Sequence, residues 1–253
     1  VTDNYNEIKV YKLSNNQWVL LGNKITEFNS AHGSVAQWAQ QWQFNHVVDI
    51  SIDSVGHTIA TVWKHMSGAF KSILRVYNFD PNGDSPWFGG LYENDTGTFF
   101  DANEIRSPST GNPPIPDIRV SISANGNTVL VGEPTTNTAR IYTYDKVNSL
   151  LNQNATAVLS GDTQHDRFGS SVSINSEGNS IIISAVPASG TNGYAKVFNL
   201  VNGVWEENEI FNTISSDADM YGTSVSMNGE GNIVAIGAPH SDLNKHGTLH
   251  IHS

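Results

Sequence analysis

The strongest constraint on this chain is that it repeats itself. The segment Asp166-Arg-Phe-Gly-Ser-Ser-Val-Ser-Ile-Asn-Ser-Glu-Gly-Asn179 returns as Asp219-Met-Tyr-Gly-Thr-Ser-Val-Ser-Met-Asn-Gly-Glu-Gly-Asn232, a shift of 53 positions. Fainter copies lie at Ile118-Arg-Val-Ser-Ile-Ser-Ala-Asn-Gly-Asn127 and Val48-Asp-Ile-Ser-Ile-Asp-Ser-Val-Gly-His57. The turn glycines Gly56, Gly126, Gly178 and Gly231 are spaced 70, 52 and 53 residues apart. Such a period marks an array in which each unit is one supersecondary element and the stacking of neighbours supplies the core.

Within a unit the apolar runs keep a fixed order. A turn glycine separates the first run from the second, which reads Thr58-Ile-Ala-Thr-Val62, Thr128-Val-Leu-Val131, Ser180-Ile-Ile-Ile183 and Ile233-Val-Ala-Ile236. Two such runs joined by a short Asn/Gly/Ser turn predict a β-hairpin, because those residues accept the positive φ that the turn requires. A third run joins a basic or His residue, a β-branched residue and a ring. It occurs as Lys9-Val10-Tyr11, Arg75-Val76-Tyr77, Arg140-Ile141-Tyr142, Lys196-Val197-Phe198 and His250-Ile251-His252. Alternation along a strand puts the β-branched residue on one face and its two neighbours on the other, as in a sheet packed on both sides. A fourth run carries Trp18, Trp87 or Trp205, with a divergent copy near Ala157-Val158-Leu159. The repeat position makes these three tryptophans core by expectation.

Four short strands per unit is the arithmetic of propeller blades. The expected fold class is all-β: a β-propeller of four-stranded antiparallel blades, about five in number, in one domain over residues 1–253. Five third strands stand against four hairpins. Either N-terminal strands complete the C-terminal unit and close the ring, which removes exposed sheet edges, or the chain is a fragment of a larger, for example seven-bladed, propeller. Closure is the expectation. Two stretches interrupt the pattern. Residues 30–46 set Val35, Trp38 and Trp42 at helical spacing behind Ser30 and predict a short helical insertion. Residues 92–117, with Pro108, Pro113, Pro114 and Pro116, predict a Pro/Gly-rich surface loop that accounts for the longest glycine gap.

Composition narrows the partners. The chain has 13 Lys+Arg against 24 Asp+Glu, a net charge of −11, and no basic run interrupts the acidic background. Phosphate backbones and anionic lipid surfaces are repelled, so no nucleic acid and no membrane insertion is expected. Its apolar stretches are a few residues long, whereas a spanning helix needs ~20. With no cysteine, disulfides, thiolate metal sites and cysteine nucleophiles are excluded. The start at Val1-Thr2-Asp3-Asn4 has neither the basic beginning nor the apolar middle of a secretory leader, and the reading is a mature or excised segment. Only 15% of residues are charged while 28 are Asn and 22 Gly, which suits a turn-rich β protein.

The string Asp-x-Phe/Tyr-Gly-x-Ser-Val-Ser-x-Asn-x-x-Gly-Asn, followed by Ala235-Ile-Gly-Ala-Pro239 and by Gly247 four residues before Ile251, resembles the FG-GAP-type repeat. That is the repeat of integrin α-subunit heads and of propeller proteins from algae, marine microbes and large viruses. The resemblance extends over nearly the whole chain, although only the last two units carry the full motif. It implies a β-propeller, and often calcium in the first hairpin loop. Here those loops read Asn175-Ser-Glu177-Gly-Asn179 and Asn228-Gly-Glu230-Gly-Asn232, with one acid each. A hard cation wants several oxygen donors and more than one carboxylate. Simple turn chemistry is the reading, calcium the alternative, and no other cofactor is expected.

Candidate chemistry is sparse. His240, His246, His250 and His252 cluster near the C-terminus, and the last two share a strand face as a metal-chelating pair would. Because His252 replaces the ring of the other repeats, packing is the preferred role and no metal site is assigned. Asp217 and Asp219 resemble a carboxylate pair, yet Asp219 matches Asp166 of the preceding unit and reads as a structural acid that bonds backbone N–H groups. No nucleophile elbow, His-Glu-x-x-His pair or phosphate-cradling loop is present. The chain is accordingly expected not to be an enzyme, and no catalytic residue is assigned.

Trp38, Trp42 and Trp63 lie outside the repeat position and are the candidate contact surface. Asn94 and Asn154 begin glycosylation triplets in expected loops. The leading functional expectation is an interaction or structural module whose partners are other proteins or copies of itself, on an extracellular, cell-surface or virion surface. The alternative is a carbohydrate-binding propeller that sets its tryptophans against glycans. The least favoured is a glycosidase-like enzyme.

Overall fold

The computed structural model describes residues 7–26, 44–65, 72–82, 87–88, 118–147, 150–152, 155–163, 165–187, 193–212, 220–239 and 246–253. The described residues form strands joined by turns, with no helix among them. An N-terminal hairpin comes first: β1 (Glu7–Ile8) pairs with β4 (Ile25–Thr26), and β2 (Tyr11–Ser14) with β3 (Gln17–Leu20). Its tip is Asn15-Asn16, both at positive φ, as a two-residue hairpin turn that matches strand twist requires.

Four antiparallel sheets follow, each in sequence order from its first strand outward. Blade 1 is β5 (Phe44–Ile52), β6 (Thr58–His65), β7 (Ser72–Phe79) and β8 (Trp87–Phe88). Blade 2 is β9 (Arg119–Ile122), β10 (Thr128–Glu133) and β11 (Thr138–Asp145), with β12 (Leu150–Leu151) and β13 (Ala157–Ser160) both paired to β11. Blade 3 is β14 (Phe168–Ile174), β15 (Ser180–Ala185), β16 (Tyr194–Val201) and β17 (Val204–Asn212). Blade 4 has three strands, β18 (Ser224–Met227), β19 (Val234–Ala238) and β20 (Thr248–His252).

The first turn is the same object in all four blades. Gly56, Gly126 and Gly178 have φ of 74° and Gly231 of 77°, a backbone that costs glycine nothing and a side chain with a Cβ roughly 1–2 kcal/mol. The residue three before the glycine closes the loop. Asn175 Oδ1 accepts from Asn179 N and Ser180 N, both at 3.0 Å, and Asn228 does the same with Asn232 and Ile233. Asp53 fills that position in blade 1, accepting from His57 N and Thr58 N. The turns also bond to one another along the series: Ser54 N to Ala124 O, Asn125 N to Ser176 O and Ser176 N to Gly229 O.

Neighbouring sheets bury their facing surfaces in face-to-face seams. Ala60, Val62, Leu74 and Val76 of blade 1 meet Val120, Ile122, Val129, Val131 and Tyr142 of blade 2. Leu130 and Ile141 on the other face of blade 2 meet Phe168, Val172, Ile181 and Phe198 of blade 3. Ile182, Ala195 and Val197 meet Tyr221, Met227, Val234 and Ile236 of blade 4. The N-terminal hairpin covers the near side of blade 1 through Ile8, Val10 and Ile25 against Ile59, Tyr77 and Trp87. Across these seams the third-strand residues alternate between the two faces of the sheet, as the sequence pattern predicts.

Close glycine contacts lock the seams. Gly169, at φ 96°, lies so close to blade 2 that a Cβ would stand 2.6 Å from Glu133 N and Thr138 O. Gly222, at φ 87°, takes the same place one blade on, against Ser184. Of the expected helical insertion 30–46, Phe44, Asn45 and His46 open β5, and its other residues lie outside the described set, as does the loop 92–117. Among the described residues no strand of the N-terminal hairpin pairs with β20.

Candidate functional site

The innermost strand of each blade is a sheet edge, and its outward N–H groups need acceptors. For blades 2 and 4 the preceding blade supplies them from side chains two residues apart. Asp49 Oδ2 accepts from Val120 N at 2.9 Å and Ser51 Oγ from Ile122 N at 3.1 Å. In the seam between blades 3 and 4, Ser171 Oγ accepts from Val225 N and Ser173 Oγ from Met227 N, both at 3.1 Å. In blade 3 this serine pair shares its face with Ile182, Ala195 and Val197, because Ser173 stands opposite Ile182 and Ile182 opposite Val197.

Blade 4 presents the same arrangement to solvent. Ser226 stands opposite Ala235 and Ala235 opposite Ile251; Ser224 stands opposite Gly237 and Gly237 opposite Leu249. Leu249 and Ile251 are each 66% exposed, whereas Ala195 and Val197, which hold the same positions in blade 3, are buried. At the other end of the series, Tyr11, Leu13, Trp18 and Leu20 lie on one face of the N-terminal hairpin and are exposed, Trp18 at 69%. Tyr11 holds the position that Tyr142 and Phe198 occupy in buried seams. On β5 of blade 1, Ile50 and Ile52 are exposed too. The candidate site is this pair of apolar faces, one at each end of the blade series.

Trp18 is therefore a correction to the expectation of a core residue: it occupies the repeat position, but no described residue covers its face. Trp87 is core as expected, its Nε1–H donating to Leu21 O at 2.7 Å, and Trp205 is partly buried against the blade 2–3 seam. Of the expected contact surface, Trp38 and Trp42 lie outside the described residues, and Trp63 lies in β6, opposite Val47 and Ile73. Asn94, Asn154, Asp217, Asp219 and His240 also lie outside the described residues. His252 packs on Phe211 at 4.3 Å and His250 on Tyr221 at 5.2 Å, so both imidazoles serve the blade 3–4 seam. Among the described residues no three His, Asp or Glu side chains gather as a metal would need.

A polar network crosses the seam between blades 2 and 3. Asp166 accepts from Thr163 N at 2.7 Å, from the Thr163 hydroxyl and from Tyr194 OH at 2.8 Å. Burial opposes ionisation of Asp166, but these bonds outweigh it and hold its pKa below the usual carboxylate value. Burial, together with the Asp166 carboxylate, pushes the Tyr194 hydroxyl above its ordinary value. Lys196, on the same face, pairs with Asp162 and with Glu207 at 2.9 Å. Burial works against its charge, yet the two carboxylates raise its pKa overall.

Sequence reasoning missed Glu133, which is 1% exposed and bound by Arg140 Nε at 3.0 Å and by the hydroxyls of Thr136 and Thr138. The signal was available, since Gly132-Glu133-Pro134 aligns with Gly237-Ala238-Pro239 and puts a carboxylate where the last repeat has alanine. Its bonds tie together its own turn, from Glu133 to Arg140.

No protein-family model matches the chain, and no curated protein matches its sequence. Solved structures do. A structure solved as a "putative 6-phosphogluconolactonase" from Bacteroides uniformis aligns over 99% of this chain and 68% of its own, with a TM-score of 0.54 and 13% identity. Sqt1 from Chaetomium thermophilum aligns over 81% of this chain and 42% of its own, with a TM-score of 0.47 and 13% identity. TolB from Acinetobacter baumannii aligns over 97% and 48%, with a TM-score of 0.43 and 13% identity. The expectation that the chain is not an enzyme is corrected here: its fold is shared with a molecule named for an enzyme, so the architecture gives no ground for excluding catalysis. At these identities the likeness is one of fold, and the fold is a β-propeller.

Proposed function

We propose that the chain is a protein-binding β-propeller, an interaction or structural module built on FG-GAP-type repeats, with uncovered blade faces as its binding surfaces. The observation that carries this is the set of large apolar side chains Tyr11, Leu13, Trp18 and Leu20, all exposed and all on one face of the N-terminal hairpin. Scattered exposed apolar residues are ordinary, but a contiguous apolar face with aromatic anchors is the composition of an interface core. The partners proposed are other proteins or further copies of the chain, in an extracellular or assembly-surface setting.

The test is cross-linking of the chain in its native source, read by mass spectrometry. Lys9 and Lys12 on the hairpin supply reactive amines. Cross-links to a partner are expected from these lysines, and the Leu13→Glu/Trp18→Glu variant is expected to lose them while keeping its circular dichroism spectrum and melting temperature. Retention of the partner by that variant would refute the reading.

A further inference from the structure

The first strands of the four blades align on their turn glycines, and the residue seven before each glycine is Asp49, Arg119, Ser171 and Ser224. Arg119 breaks the series. Asp49 and Ser171 each accept a main-chain N–H of the next blade's first strand, as do Ser51 and Ser173 two residues on. A guanidinium has donors and no acceptor, so Arg119 cannot join blade 2 to blade 3 in that way.

The register shows what is left open. Val172 stands opposite Ile183 as Val120 stands opposite Val131 and Val225 opposite Ile236, so the N–H groups of Val172 and Ile174 point away from β15 toward the inner edge. Their counterparts in blades 2 and 4 are bonded to the preceding blade. Among the described residues no side chain accepts from Val172 N or Ile174 N, and Ser121, which matches Ser51 and Ser173, makes no such bond. Val172 is 9% exposed and Ile174 7%. An unpaired main-chain donor on a buried residue marks a place for a water or an ion.

Arg119 faces this gap. It stands opposite Gly132, where a Cβ would lie 2.9 Å from Val172 Cγ1 and 2.2 Å from Gly169 O, and Ser121 stands opposite Leu130 of the same seam. Arg119 is half-buried and makes no hydrogen bond or ion pair among the described residues. The carboxylates of blades 1 and 2 nearest in sequence position are engaged elsewhere. Asp49 accepts from Val120 N and Ile50 N, and Glu133, which shares the other face of β10 with Val131, is bound by Arg140. One guanidinium, one hydroxyl and two main-chain N–H groups thus meet at a seam with no anion.

We propose that this seam binds a small organic acid, its charged oxyanion held by the Arg119 guanidinium and Val172 N–H and a second oxygen function held by Ile174 N–H and the Ser121 hydroxyl. A guanidinium takes a carboxylate or a phosphate in paired parallel bonds. Alternate N–H groups on one strand edge stand about 7 Å apart, two rises of ~3.4 Å, which is farther than one carboxylate reaches. The ligand therefore carries two oxygen functions, as a short dicarboxylate does. In a chain of net charge −11 the seam is a local exception to the general repulsion of anions. Giving up two bonds between blades at one seam, where the repeat keeps them at two others, is the pattern of a local rule broken for function. The site is separate from the apolar faces of the proposed function.

The test follows the amide signals of Val172 and Ile174 by nuclear magnetic resonance as glutarate, acetate or inorganic phosphate is added, against sodium chloride at equal ionic strength. Glutarate should move both signals saturably. Acetate and phosphate carry the charged head alone and should move Val172 only; whichever acts at the lower concentration identifies the preferred head group. Arg119→Ser restores the residue of blades 3 and 4, so it should weaken glutarate by about tenfold or more, the worth of a hydrogen bond to a charged group. The same variant should melt about 2–4 °C higher, as one gained hydrogen bond gives at this chain length, which separates lost binding from lost folding. Leu13→Glu/Trp18→Glu should leave glutarate binding unchanged. Glutarate shifts no larger than those of the salt control, movement of Val172 alone by glutarate, or undiminished binding by Arg119→Ser would each overturn the proposal.

Discussion

Replacing Gly193 with alanine tests whether the blades are packed as closely as the seams indicate. The backbone at Gly193 is not in the left-handed region, so alanine meets no conformational penalty and only space decides. A Cβ there would stand 1.9 Å from the Tyr221 carbonyl oxygen and 2.9 Å from that of Ala185. Cβ atoms keep at least 3.0 Å from such neighbours, so one carbonyl must retreat by more than 1 Å (3.0 less 1.9). Tyr221 cannot give way freely: its side chain is buried in the blade 3–4 seam, and the next residue, Gly222, donates to Gly237 O at 3.0 Å. Overpacking against backbone costs about 3 kcal/mol, the upper end of such changes, and a strained buried hydrogen bond adds about 1 kcal/mol.

Gly203 is the control. Its φ is 82°, and a Cβ added there would meet nothing within 4 Å. Alanine there costs about 1–2 kcal/mol in strain, partly offset by the lower entropy of the unfolded chain. Urea denaturation followed by tryptophan fluorescence should show Gly193→Ala losing at least twice the stability that Gly203→Ala loses, with unchanged m-values. Equal losses, or a larger loss at Gly203, would refute the close approach of blades 3 and 4.

Two further outcomes follow from the turns. Asn175→Ala removes the acceptor of two main-chain N–H groups at a buried site and should cost about 2 kcal/mol, whereas Asn228→Ala, whose bonds are exposed, should cost about 1 kcal/mol or less in the same urea assay. Asp53 is buried, which alone would raise its pKa, but bonds from Lys146, Thr58 N and His57 N hold it below the ordinary 3.8. A depressed folded-state pKa stabilises the fold above the unfolded value, and that stability is lost as pH falls through the folded one. Stability should therefore drop below about pH 4, with a shallower drop in Asp53→Asn, measured by urea midpoints at successive pH values; an unchanged slope would show that Asp53 carries none of it.

The parts of the fold legible in the sequence are those fixed locally. A turn that needs positive φ names its own glycine, and the four first turns stand where Gly56, Gly126, Gly178 and Gly231 put them. The third strands are equally readable, because a β-branched residue between two long side chains marks a sheet covered on both faces. What the sequence could not supply is which faces have a neighbour. Trp18 and Trp87 occupy the same repeat position, yet one is exposed and the other buried. The difference lies in the unit that covers each, and no property of tryptophan carries it. Glu133 failed to register for the opposite reason: a single carboxylate in an otherwise apolar strand end looks like a surface residue until Arg140, Thr136 and Thr138 are seen to enclose it.

The Ser-Val-Ser string changes meaning in the same way. Alternating serine and valine ordinarily signals a strand with one wet and one dry face. In β14 both faces are covered, and the serines have become acceptors for a neighbouring strand's main chain. Serine suits that task because its hydroxyl is short enough to let two inner strands approach and still accept an N–H bond. The polar half of the repeat is thus a joint between blades, and where it stands exposed, at Ser224 and Ser226, the joint is half made.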